Sequence, residues 1–129
     1  MSLNVLIVDD SATTRSIIAK TLTLSGLPLG EVHHAANGLE ALQKLENTWV
    51  DLIFADINMP VMNGVEMVER MSAKGILATV PVIVVSTDGS ASRMAHLKEK
   101  GVRAFVRKPF APETVRDVVQ DLLGLKKGA

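Results

Sequence analysis

Polar residues that end apolar runs are the ones able to do chemistry in this chain: Asp9 and Asp10 after Leu6–Val8, Asp56 after 50–55, Ser86 and Thr87 after 82–85, and Lys108 ahead of Pro109. Three carboxylates gathered in one place repel one another. At about 4 Å and an effective dielectric near 20, each like pair costs on the order of 4 kcal/mol. A cation is required, and Lys108 supplies one charge. Hard oxygen ligands in an otherwise sparse cage suit a magnesium ion that keeps several waters and is completed by a phosphate oxygen. In phosphoryl chemistry a carboxylate is itself a competent nucleophile, provided a metal and a lysine neutralise the transferring oxygens. Asp56 stands alone and is the candidate nucleophile. The Asp9–Asp10 pair is better placed to hold the ion, and Ser86 to donate a hydrogen bond to a phosphoryl oxygen.

These residues act together only if the fold collects them. Short β-branched runs at 4–8, 32–35, 50–55, 82–85 and 104–106 alternate with longer segments of helical period. The first, third and fourth runs are apolar at nearly every position, as strands of a parallel sheet covered on both faces are. Helices are predicted over 12–25, carrying Ile17, Ile18, Leu22 and Leu24 and closed by Gly26; after Asn37 and Asn63, each followed three residues on by a glutamate; over 90–100; and over 112–123, with Val115, Val118, Val119, Leu122 and Leu123 on one stripe. The fold class is α/β, a doubly wound five-stranded parallel sheet. Such sheets bind ligands beyond the carboxyl ends of their strands, where every polar residue of interest falls.

The 129 residues, 47% hydrophobic, suffice for one domain spanning 1–129, with an irregular tail over 124–129. Acidic and basic side chains balance at 14 each, so no net field draws the chain to nucleic acid or an anionic membrane. Without cysteine there is no disulfide framework or thiolate chemistry. No apolar run is long enough to span a bilayer, and the lack of a secretory leader favours the cytoplasm.

The stretches LIVDDS (6–11), ADINMPVMNG (55–64), VVST (84–87) and FVRKPF (105–110), in this order and spacing, resemble the receiver domain of two-component response regulators, most closely the CheY-like single-domain chemotaxis type. The resemblance implies a flavodoxin-like (βα)5 sheet of strand order 2-1-3-4-5, an order of which CheY is itself a standard example. It implies that Asp56 accepts a phosphoryl group from a histidine kinase's phosphohistidine, with magnesium held by Asp10, Asp56 and the backbone carbonyl of Asn58, and by Asp9 largely through water. Lys108 would pair with the phosphoryl group, Ser86 would hydrogen-bond it, and the Lys108–Pro109 bond would be cis. Asn58 and Asp88 would border the line of attack and tune dephosphorylation. Ser86 and Phe105 would form the switch that reshapes the surface of the fourth helix, fifth strand and fifth helix, where a downstream protein binds. Such a protein is no enzyme beyond its own phosphorylation and dephosphorylation.

Plainer readings compete with these. A single carboxylate at a strand end is commonly a solvated turn residue, Phe105 is otherwise a half-buried strand residue, and the methionines at 59, 62, 67 and 71 are core by default. The three histidines, His33, His34 and His96, show no metal-ligand spacing. A magnesium phosphatase of haloacid-dehalogenase type also uses a strand-end aspartate, but its Asp-x-Asp pair would need a carboxylate where Ser11 stands. A flavodoxin-type flavin module would not place two carboxylates in its phosphate loop. A receiver excised from a larger regulator is the remaining alternative.

Overall fold

The computed structural model describes residues 2–86, 91–108 and 111–124. Its elements run β1 (Leu3–Val8), α1 (Ala12–Leu24), β2 (Leu29–Ala35), α2 (Gly38–Asn47), β3 (Leu52–Ala55), α3 (Gly64–Ala73), a 3-10 turn (Ile76–Ala78), β4 (Val82–Ser86), α4 (Ala91–Lys100), β5 (Ala104–Arg107) and α5 (Pro112–Leu123). The five strands form one parallel sheet in the order β2-β1-β3-β4-β5. That is the expected doubly wound topology.

Burial explains why the central strands read as unbroken apolar runs. β3 and β4 are buried at every residue and β1 at all but Asn4, whereas the edge strands β2 and β5 are largely half-exposed. Alternate residues of each central strand feed two cores. Leu6, Val8, Ile53, Ala55, Val82 and Val84 pack beneath α2, α3 and α4 with Met67, Met71 and Leu97. Val5, Ile7, Phe54, Ile83 and Val85 face α1 and α5 with Ile18, Leu22, Val115 and Val119. All four methionines 59, 62, 67 and 71 are core residues.

Local chemistry sets the helix ends. Ser11 caps α1 by accepting from Thr14 N at 3.1 Å, Asn37 caps α2 through Glu40 N at 2.9 Å, and Asn63 caps α3 through Glu66 N at 2.9 Å. Gly26 follows α1 at φ 81°, and Gly124 ends α5 at φ 67°, the left-handed conformation that glycine adopts without a Cβ clash. Three expectations need correction. β3 begins at Leu52, two residues later than the expected run over 50–55. β2 begins at Leu29, three residues early, because Leu29 pairs with Leu3 before a register shift. Ile17 and Leu24 on α1 point to solvent, 59% and 65% exposed, so the buried stripe of that helix is Ile18 and Leu22. The predicted start of the fourth helix at Ser90, and the tail beyond Gly124, lie outside the described residues. Among the described residues, no helix is long and apolar enough to cross a membrane.

Candidate functional site

Each key side chain hangs from a backbone hydrogen bond at the carboxyl edge of the sheet. Asp9 N donates to Ala35 O at 3.0 Å, Asp56 N to Val8 O at 2.9 Å, and Lys108 N to Ser86 O at 3.1 Å. The ladder thus extends one residue past β1, β3 and β5, and Asp9, Asp56 and Lys108 start from fixed backbone.

Asp9, Asp10 and Asp56 offer carboxylate oxygens that all lie within 4.8 Å of one another. Asp9 is 2% exposed, Asp56 half-buried and Asp10 exposed. Asp9 Oδ1 accepts from Ser11 N at 2.9 Å, and its Oδ2 accepts from Lys108 Nζ at 3.1 Å. Lys108 Nζ also stands 3.8 Å from Asp56 Oδ2. Asp56 Oδ1 accepts from Ile57 N at 2.8 Å. Burial raises the Asp56 carboxyl above the ordinary carboxylate value; the Ile57 amide and the Lys108 ammonium oppose that shift, while Asp9 and Asp10 add to it. Three carboxylates facing one ammonium leave excess negative charge, and every ligand atom is a hard oxygen. The donor set fits magnesium and suits no soft metal.

The loop from Ile57 to Asn63 is closed from both sides. Gly64 N donates to Ile57 O at 2.8 Å and Gly38 N to Met62 O at 2.9 Å. A Cβ on Gly64 would collide with the Asp56 carbonyl and stand 2.9 Å from Ile57 Cα, so glycine lets α3 start against the backbone of Asp56. Asn58 is exposed on this loop.

Ser86, the last residue of β4, is 3% exposed. Phe105 pairs in register with Val84, two residues before Ser86 on the same face of β4, and packs half-buried against the core beneath α2, α3 and α4. Thr87, Asp88 and Pro109, and with them the Lys108–Pro109 bond, lie outside the described residues. The histidines stand apart from the site: His33 Nε2 meets Glu31 Oε1 at 3.2 Å and His96 Nε2 meets Glu69 Oε2 at 3.1 Å, whereas His34 is held below its ordinary value by burial, then by Arg15, Lys44 and His33. Trp49 is exposed and donates through Nε1 to Asp51 at 3.2 Å, ahead of β3.

Sequence reasoning missed Arg15, whose Nη1 donates to the main-chain carbonyl of Asp9. The signal available was a basic residue one turn into the helix that follows Asp9–Asp10. It also passed over Ser11 as the cap that starts α1 beside those carboxylates.

The family model for the response regulator receiver domain matches residues 5–120. A chemotaxis protein CheY homolog of Campylobacter jejuni is 36% identical over 127 residues, covering 98% of this chain and 96% of the relative. The crystal structure of the chemotaxis protein CheY4 of Vibrio cholerae at low pH superposes with a TM-score of 0.82 at 35% identity, covering 94% of this chain and 98% of that one. The CheX-CheY-BeF3-Mg complex of Borrelia burgdorferi gives 0.84 at 28% identity, over 94% of this chain and 89% of that one.

Proposed function

The chain belongs to the response regulator receiver domain family, and from that premise we propose that it is a phosphorylation-dependent switch of a two-component pathway in which Asp56 is the phosphoacceptor. The observation that carries this reading is the gathering of Asp9, Asp10 and Asp56 within 4.8 Å, with Lys108 reaching between Asp9 and Asp56. An Asp56 carboxylate oxygen attacks the phosphorus of a phosphohistidine on a histidine kinase or phosphotransfer protein. The P–N bond breaks, its electron pair returns to the imidazole nitrogen, and an acyl phosphate forms on Asp56.

Asp10, Asp56 and the backbone carbonyl of Asn58 would hold magnesium, with Asp9 supporting through water. When bound, the ion neutralises charge on the phosphoryl oxygens. Lys108 supplies the other positive charge and pairs with the phosphoryl group, and the Ser86 hydroxyl donates to it. Asn58 and Asp88 orient the water that later hydrolyses the acyl phosphate. The protein turns over no separate substrate.

The output is a population shift between two packings. Ser86 moves toward the phosphoryl group, Phe105 enters the space behind β4, and the face of α4, β5 and α5 changes for a downstream protein. A partner complex is known for the Borrelia neighbour, which is captured with CheX. The similarity to the Campylobacter chemotaxis relative over 127 residues supports a receiver of chemotaxis type. Intact-mass measurement after treatment with acetyl phosphate and magnesium tests the central assignment. Wild type should gain one phosphoryl group and Asp56→Asn none; equal gain by both rejects Asp56.

A further inference from the structure

Arg15 sits one turn into α1 and reaches back to the end of β1, where its Nη1 donates to the carbonyl of Asp9. That carbonyl belongs to the peptide joining Asp9 to Asp10. The other polar groups of Asp9 are already tied: its amide to Ala35 O, its carboxylate to Ser11 N and to Lys108 Nζ. Arg15 therefore fixes the orientation of the one peptide plane from which both aspartates branch.

The contact comes at a local cost. Arg15 Nε is buried with no hydrogen-bond partner, and among the described residues no carboxylate pairs with the guanidinium. A side chain selected only to stabilise α1 would extend to water or to an acid on the helix surface. The guanidinium bonds instead to a main-chain carbonyl at the end of β1, between the two aspartates. The reach also suits arginine: its outermost nitrogens lie one bond further from Cα than a lysine's ammonium does.

We infer that Arg15 is a positioning residue, which locks the Asp9–Asp10 peptide so that both carboxylates face the divalent-ion site and thereby raises affinity for the ion. The inference rests on the proposed function for the identity of the site. Its electrostatic alternative has the opposite sign. As a bare positive charge near a cation site, Arg15 would repel the ion, and its removal would tighten binding. As a positioning group, its removal loosens binding despite the lost repulsion.

The test is calorimetric titration of wild type, Arg15→Met and Arg15→Lys with magnesium chloride and no phosphodonor, with circular dichroism to verify folding. Both variants should bind magnesium about tenfold more weakly than wild type, as loss of a group that orients metal ligands does elsewhere. Tighter or unchanged binding in Arg15→Met overturns the inference. So does wild-type affinity in Arg15→Lys, which keeps the charge but carries its donor one bond short of the arginine's; if Arg15→Met does not fold, that comparison decides alone. Because the titration uses no phosphodonor, a wild type that binds magnesium here but gains no phosphoryl group from acetyl phosphate in the intact-mass test overturns the proposed function and leaves the Arg15 result standing. A wild type that binds no magnesium overturns both.

Discussion

Lys108 is hydrogen-bonded to Asp9 and stands off from Asp56: its Nζ is 3.1 Å from Asp9 Oδ2 and 3.8 Å from Asp56 Oδ2. The ammonium is thus held by the most buried of the three acids, and the phosphoacceptor candidate feels it at longer range. Lys108 lowers the Asp56 carboxyl value, whereas Asp9 raises it. In metal-free protein, Lys108→Met should move the Asp56 titration to higher pH and Asp9→Asn should move it to lower pH. Carbon-13 NMR of the Asp56 carboxyl reads both shifts, and movement in the same direction for both variants would contradict this assignment of charges.

The raised Asp56 value also fixes the sign of a stability change. Its folded value lies above its unfolded value, chiefly through burial. In the interval between the two, the native state binds more protons, so stability falls as pH rises and is fully present only below the unfolded value. Near neutral pH without metal, the ionised carboxylate is a liability. Asp56→Asn should therefore melt a few degrees above wild type in EDTA at about pH 7 and lose that advantage in acid. Calorimetric melts at the two pH values check the trend; a lower melting temperature for the variant at neutral pH contradicts it.

Asp10 is exposed, and its carboxylate lies within 4.8 Å of those of Asp9 and Asp56, so on the proposed function its part would be charge and oxygen ligation, not packing. Replacing it with asparagine should leave the fold intact while slowing phosphoryl uptake from acetyl phosphate by at least about tenfold. Chelation of magnesium from wild type should have the same effect. Undiminished uptake in EDTA would remove the metal from the mechanism.

Gly64→Ala is expected to be costly although the residue lies at a helix start. The new methyl group meets the Asp56 carbonyl and Ile57 Cα, and the backbone is pinned there by the Gly64 N to Ile57 O bond. Overpacking of this kind costs on the order of 1–3 kcal/mol. Urea unfolding should show the loss as a lowered midpoint, and phosphoryl uptake should slow because the backbone carrying Asp56 is displaced.

Phe105→Ala should separate chemistry from output. The ring is half-buried, so truncation should cost about 1–3 kcal/mol, below the range for a fully buried aromatic. Phosphoryl uptake should persist, while partner binding should lose its dependence on beryllofluoride. Affinities measured with and without beryllofluoride test this. A ratio equal to that of wild type would exclude Phe105 from the switch.

Much of this architecture is readable from residues alone, for physical reasons. α5 runs from Pro112 to Leu123 as expected because proline is preorganised for the first helical turn and Gly124 can take a left-handed end. The strand ends carrying Asp9, Asp56 and Ser86 are sharp because buried apolar runs stop abruptly. β2 is less legible: an edge strand with Gly30 and Glu31 exposed needs no apolar alternation, so its start leaves no pattern. Glu40 shows another limit, since its Oε1 accepts from Ala36 N, one residue before the Asn37 cap. Arg15 left only the weak signal of its place one turn into α1, because its partner is a main-chain carbonyl, which every residue possesses.

The turn at Pro60–Met62, closed by Met62 N to Pro60 O at 2.7 Å, holds Val61 at φ 66°, where a β-branched residue is strained by roughly 1–3 kcal/mol. The bonds from Gly38 and Gly64 keep the loop in place despite that strain. Its ordering cost therefore falls when the chain folds, before any signal arrives. On the proposed function, an incoming phosphoryl group would meet this wall of the site already standing, and its arrival would not have to order the loop.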